Sequence, residues 1–209
     1  LLTGTVLMLA LAGCSEEREA PAPVVDAEAG KAIAQAHCSN CHGLDGSGKT
    51  AEIPNLGGQP ADYLVEAMHA YREDLRHHAA LKDLITGFTE ADISNIAAYF
   101  AGLPPLAPQP EVAKSDEAYR QGAEFASVCI DCHGERGVST TEGVPSLAGQ
   151  QPAYLIVATQ EYADGSRGHA GKEKMLQGLD DVDIEKMAMY FAAQAPRLRQ
   201  PPPFGDPAQ

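Results

Sequence analysis

The sequence predicts an all-α fold, and it predicts that fold twice over. Three observations carry this. Apolar residues recur at helical spacing, and nothing alternates with period two over a useful length. The chain matches itself at an offset of 91 positions, with about a third of positions between 32 and 101 identical to their partners. Pro-rich stretches close both copies. A repeat of 91 residues is too long for solenoid units, whose period is about 20–50, and reads as a duplicated domain.

Taken in order, residues 1–13 (LLTGTVLMLALAG) form an uncharged apolar run. It is shorter than the roughly 20 residues of a membrane-crossing helix and reads as a signal peptide. Its end, Leu11-Ala12-Gly13-Cys14, resembles a bacterial lipoprotein cleavage box. The resemblance implies cleavage before Cys14 and a diacylglycerol on its thiol. Residues 14–26 are then the lipidated Cys and a polar, Pro-containing tether. Residues 27–101 form the first domain, with helices expected over 27–36, 60–73 and 89–101. Thr89 and Asp92 form a variant capping box for the last of these. Residues 102–116 are a Pro-rich linker, semi-rigid in composition. Residues 117–195 repeat the domain, with helices over 117–128, 152–163 and 180–193, and 196–209 are a Pro-rich tail. The regions between these helices read as loops.

The chain is 44% hydrophobic but only 6% aromatic with no Trp, thin for two cores of about 90 residues. Something other than side chains is needed inside. A net charge of -14 argues against nucleic acid as a partner, since phosphate binding needs a basic surface. The same balance suits docking on a basic patch.

Four of the five cysteines form two identical motifs, Cys38-Ser39-Asn40-Cys41-His42 and Cys129-Ile130-Asp131-Cys132-His133. Cys-x-x-Cys-His is the c-type haem attachment signature. Two thiols on one helical turn can reach the two vinyl groups of a porphyrin, and the adjacent imidazole then faces the iron. Zinc would need four ligands converging from motifs 91 residues apart, and neither zinc nor disulfides would explain a His after each pair. The count predicts two haem c groups, no disulfide, and cofactors that complete the cores.

With these motifs, the chain resembles the tandem dihaem class I cytochromes c of the cytochrome c4 type over roughly residues 27–195. The resemblance is also carried by the Pro-x-Leu-x-Gly-Gln stretches (54–59 and 145–150), the Tyr-Leu pairs that follow, and the Ile-x-x-x-Ala-x-Tyr-Phe endings (93–100 and 184–191). It implies two class I cytochrome c domains, each wrapped around one covalent haem, with the haems near the domain interface. It further implies His42 and His133 as proximal ligands, Pro54 and Pro145 packed on the proximal side, and Arg76 and Arg167 as candidates for haem propionates. The alternative for either arginine is a solvated surface charge.

The second axial ligand departs from the resemblance. Where the family carries Met stand Leu81 and Lys172, and Leu cannot ligate iron. Met68, within a helix and matched by Thr159, suits core packing. Both copies share a His 36 residues after the proximal one, His78 and His169, which suggests two bis-His haems. His77 could replace His78, and Met175 or Lys172 could replace His169. Imidazole in place of thioether lowers the potential.

The expected function is a lipid-tethered electron-transfer protein of the bacterial periplasm or cell surface, anchored to the inner or outer membrane. It would pass electrons between redox proteins or to a membrane electron-transport complex, and would not itself be an enzyme. Two other classes remain open: a dihaem enzyme (thiosulfate-oxidising or peroxidase-like) if Lys172 leaves an exchangeable site, and a subunit of a haem-stacked conducting filament.

Overall fold

Asp26 starts the first domain. Its carboxylate accepts from the backbone N–H groups of Glu28 (2.9 Å) and Ala29 (3.1 Å), capping helix α1, Ala27–His37. The computed structural model describes residues 25–106, 117–169 and 171–196. The signal peptide, Cys14, nearly all of the tether, residues 107–116 of the linker and residues 197–209 of the tail lie outside the described residues.

After α1 come α2 (Ser39–His42), α3 (Ala61–Arg72), α4 (Ala79–Thr86) and α5 (Glu90–Gly102). The second half runs α6 (Glu117–Phe125), a 3₁₀ turn (Ala126–Val128), α7 (Ile130–His133), a second 3₁₀ turn (Glu135–Gly137), α8 (Pro152–Ala163), α9 (Lys172–Met175) and α10 (Asp181–Ala192). No strand occurs among the described residues, as the all-α expectation requires. Thr89 and Asp92 form the expected capping box at α5, and Asp180 and Asp183 form another at α10.

In each half the first helix crosses the last, α1 on α5 and α6 on α10, and the third helix closes the far side. One core is Ala34, Leu64, Ile96, Ala97 and Phe100. Its counterpart is Ala126, Leu155, Met187, Ala188 and Phe191. Met68 packs at the edge of the first core.

Two features depart from the sequence expectation. The expected helix over 117–128 ends at Phe125 and tightens into the 3₁₀ turn. A 3₁₀ turn rises about 2.0 Å per residue against about 1.5 Å in an α-helix, so fewer residues span the same distance. Buried Ala34 and Ala126 occupy the same place in their cores at an offset of 92 rather than 91, the single residue this turn absorbs. The other departure is that both loops following Arg76 and Arg167 contain helix, α4 and α9.

The halves meet along a seam with pseudo-two-fold symmetry. The Gln150 side chain accepts from Asn55 N–H (2.7 Å) and donates to Asn55 C=O (2.9 Å). The Gln59 side chain does the same to Ser146, accepting from its N–H (3.0 Å) and donating to its C=O (2.8 Å). Each Gln ends a turn whose preceding glycine has positive φ, Gly58 at 73° and Gly149 at 68°. Such a turn favours Gly because it has no Cβ. Asp62 adds an acceptor for Gly143 N–H at 2.6 Å. The stretch from Leu103 to Leu106 lies against the same turns, with Pro105 against Gly58 and the Leu106 carbonyl near Gly149.

Candidate haem-binding sites

Each Cys-x-x-Cys-His segment lies on a single short helical turn, α2 or α7, entered from the end of the preceding helix. His42 Nδ1 lies 3.0 Å from Pro54 C=O, and His133 Nδ1 lies 2.8 Å from Pro145 C=O. A carbonyl only accepts, so Nδ1 carries the proton and Nε2 keeps its lone pair, as a metal-binding imidazole requires. The two proline carbonyls thus supply the acceptors that orient the two imidazoles. Burial lowers the pKa of His42, partly opposed by the bond to Pro54. Burial likewise brings His133 down to about 4, opposed by Pro145 and reinforced by Lys172 and His169. Both rings are neutral at pH 7.

Burial pushes the Cys38 thiol up to about 11, with the neighbouring Cys41 adding to it. Burial also raises Cys129 to about 11, against the pull of Lys172. A redox dithiol or zinc site needs accessible thiolate, the opposite tendency. Neutral thiols beside an apolar space suit thioether attachment instead. The same four cysteines are unpaired.

In the second domain the space is a cavity of about 400 Å³. Cys129, Cys132 and His133 lie on its wall, as do Leu155, Met187 and Phe191. His169, Lys172 and Met175 also line it, so all three candidate distal side chains share one chamber with His133. Lys172 Nζ sits 3.9 Å from the centroid of the Tyr162 ring. In the first domain His78 is exposed, and its Nδ1 accepts from Leu81 N–H at 3.2 Å as the N-cap of α4. His78 stacks edge-on against Tyr71, and His169 does so against Tyr162 (6.3 and 5.9 Å between centroids). His77 instead pairs with Asp74 at 3.2 Å, away from this ring contact.

Arg76 and Arg167 come together at the seam, together with Tyr63 and Tyr154, which the sequence repeat marks but to which it assigns no role. Arg76 lies 5.5 Å from the Tyr63 ring centroid, and both guanidiniums act electrostatically on Tyr63 and Tyr154. Burial raises the Tyr63 hydroxyl, but the two guanidiniums outweigh it and hold it at about 8. Arg167 is only 5% exposed, its carboxylate neighbour Glu161 stands 3.8 Å off, and its Nε has no hydrogen-bond partner. Buried charge without a close counter-charge is costly. An orphaned guanidinium N–H on the wall of a largely apolar cavity fits a flat apolar group with anionic arms, which is what haem and its propionates are. The surface-charge alternative does not apply to Arg167.

Two helical domains, each with a Cys-x-x-Cys-His turn whose imidazole is aimed by a proline carbonyl, define a dihaem c-type cytochrome. The Cytochrome c family matches residues 27–104. Cytochrome c4 of Pseudomonas aeruginosa is 32% identical over 201 residues, covering 91% of this chain and 96% of its own length. The thiosulfate dehydrogenase electron acceptor of Stutzerimonas stutzeri is 26% identical, covering 74% of this chain and 77% of its own length. The crystal structure of reduced recombinant cytochrome c4 from Pseudomonas stutzeri superposes with a TM-score of 0.73 at 25% identity, covering 82% of this chain and all of that one. The chain belongs to the cytochrome c4 family. It carries two haem c groups and is an electron-transfer protein whose partners are redox proteins.

Proposed function

We propose that the chain is a periplasmic or surface-exposed, membrane-tethered electron carrier. In this reading Cys38 and Cys41 hold one haem, and Cys129 and Cys132 hold the other. His42 and His133 are the proximal ligands, and Arg76 and Arg167 pair with propionates. The observation that carries the reading is the pair of imidazoles fixed by Pro54 and Pro145, each with Nε2 free for iron. Bound haem supplies a one-electron ferric/ferrous couple. The chain's residues hold it, keep water from it and set its charge environment.

The distal ligands are His78 and His169. Their shared position against Tyr71 and Tyr162 supports this. Ligation by His78 needs its proton on Nδ1, so the ring must give up the cap to Leu81. Lys172 is the less suited alternative, because its cation–π contact with Tyr162 is one that an uncharged amine would forgo. Met175 lines the same cavity but is 45% exposed, so much of its thioether faces solvent. A filled sixth position leaves no site for substrate, which separates a carrier from an enzyme. Low-temperature electron paramagnetic resonance of the oxidised protein tests this. Two bis-His signals are expected. A His/Met or amine-ligated signal for either haem overturns the assignment for that domain.

The tether rests on the Leu11–Cys14 box and the polar stretch after it. No helix among the described residues is long and apolar enough to cross a membrane. The acidic charge favours a partner with a basic docking patch. The resemblance to a thiosulfate dehydrogenase electron acceptor suggests one class of donor, an enzyme that oxidises a sulfur oxyanion.

A further inference from the structure

The cross-domain glutamine bonds end on the very peptide groups that orient the proximal histidines. Pro54 C=O accepts from His42 Nδ1–H at 3.0 Å. The N–H of that same peptide group belongs to Asn55, and it donates to Gln150 Oε1, 2.7 Å away in the other domain. The second site repeats the arrangement. Pro145 C=O accepts from His133 at 2.8 Å, and the Ser146 N–H of that peptide donates to Gln59 Oε1 at 3.0 Å. Asn55, Gln59 and Gln150 are buried, at 5%, 6% and 4% exposure.

We propose that Gln150 and Gln59 are crossed positioning residues, each tuning the haem of the opposite domain through one peptide group. The physical basis is polarisation along a hydrogen-bond chain. An acceptor on the N–H side of a peptide increases the negative charge on its carbonyl oxygen, and cooperativity of this kind strengthens a hydrogen bond by about 10–30%. A stronger carbonyl draws the Nδ1 proton further and makes the imidazole a more electron-rich ligand. An electron-rich ligand favours ferric iron. Each glutamine therefore lowers the potential of the haem it does not contain. Both ends of each amide are used, since each Nε2 also binds the carbonyl of Asn55 or Ser146 (2.9 and 2.8 Å), which stops the amide from flipping. The relays are not identical. Gln150 Oε1 is shared with its own neighbour, Gln151 N–H, at 2.9 Å. Gln59 precedes Pro60, which has no N–H to offer. The second haem thus has the less divided acceptor.

The inference rests on haem attachment at the two motifs, and the test separates the two. Pyridine haemochrome analysis of the full-length protein first counts haems per chain, and fewer than two rejects the attachment reading itself. With two present, Gln150→Leu and Gln59→Leu are compared with the parent by spectroelectrochemical titration. Haem-methyl resonances are assigned to the second haem through contacts to Met187, whose Sδ lies 3.7 Å from Cys129 Sγ. Gln150→Leu should raise the midpoint of the first haem with the smaller change in the second, and Gln59→Leu should do the reverse. The His42 Nδ1–H resonance should move upfield in Gln150→Leu, reporting a weaker bond independently of any potential. Gln150→Glu keeps the acceptor and strengthens it, so it should lower the first midpoint. The proposal is overturned if each Leu variant mainly shifts the haem of its own domain, if both haems shift equally, or if Leu and Glu shift the first haem in the same direction. If Gln150→Leu does not fold, Gln59→Leu and Gln150→Glu still decide the matter.

Discussion

Arg167 concentrates the electrostatics of the second site in one side chain. Its guanidinium lies over the Tyr162 ring, 4.6 Å from its centroid. In the proposed reading its counter-charge is a haem propionate, and a nearby positive charge disfavours the extra positive charge of ferric iron. Arg167→Met keeps most of the apolar stem and removes the charge. The midpoint of the second haem should fall, by on the order of 40 mV for each kcal/mol of lost stabilisation, since for one electron a tenfold change is about 59 mV. Spectroelectrochemical titration reads this directly. A midpoint that rises or stays put would show that Arg167 faces no propionate. The role was legible as a candidate because Arg recurs in both copies. The burial of Arg167 was not, because sequence spacing does not say which charges another domain will cover. Gln59 and Gln150 went unread for the same reason: each looked like part of a family stretch, and each acts only across the seam.

At the scale of the element, each domain has a close helix-on-helix approach at a glycine. A Cβ on Gly30 would lie 1.9 Å from Asn95 C=O, and one on Gly122 would lie 2.2 Å from Lys186 C=O. Both glycines are buried in helices, α1 and α6. Gly costs a helix about 1 kcal/mol relative to Ala. Here that cost is offset because the two backbones can touch, and the helix-favouring substitution has nowhere to go. Gly30→Ala should destabilise the holoprotein by about 1–3 kcal/mol, the usual range for overpacking. The denaturant midpoint measures it, and an unchanged or higher midpoint would mean that α1 is free to slide. The gapless 91-residue offset hid this pair, since Gly30 and Gly122 lie 92 apart. The caps were readable because a capping box is local. Helix α4 is not signalled in the sequence, because its N-cap is a His rather than the usual Ser, Thr, Asp or Asn, although Leu81, Leu84 and Ile85 have helical spacing.

The whole molecule is two small cores locked by a seam of reciprocal side-chain-to-backbone bonds, with Arg167 buried and Arg76 half-buried there and an acidic excess outside. Phe100 and Phe191 are the large aromatic anchors, each about 1% exposed, which agrees with a chain so poor in aromatics that the cofactors must fill the remaining space. The duplication was legible in the sequence, but the way the copies face each other was not, because a repeat fixes what each copy is and leaves the symmetry between them to complementary surface. That arrangement has a kinetic consequence. Arg76 and Arg167 are turned inward, so the field met by an approaching reagent is set by a chain of net charge -14. Long-range attraction between opposite charges speeds encounter, and salt screens it over about 8–10 Å at ordinary ionic strength. Oxidation of the reduced protein by a cationic metal–ammine complex should slow as salt is added, while oxidation by an anionic cyanide complex should accelerate. Stopped-flow rates over a salt series give both slopes. If the slopes are reversed, the cationic complex accelerating and the anionic one slowing with salt, the exposed haem edges lie in a locally positive patch, and the expectation of a basic docking partner is wrong.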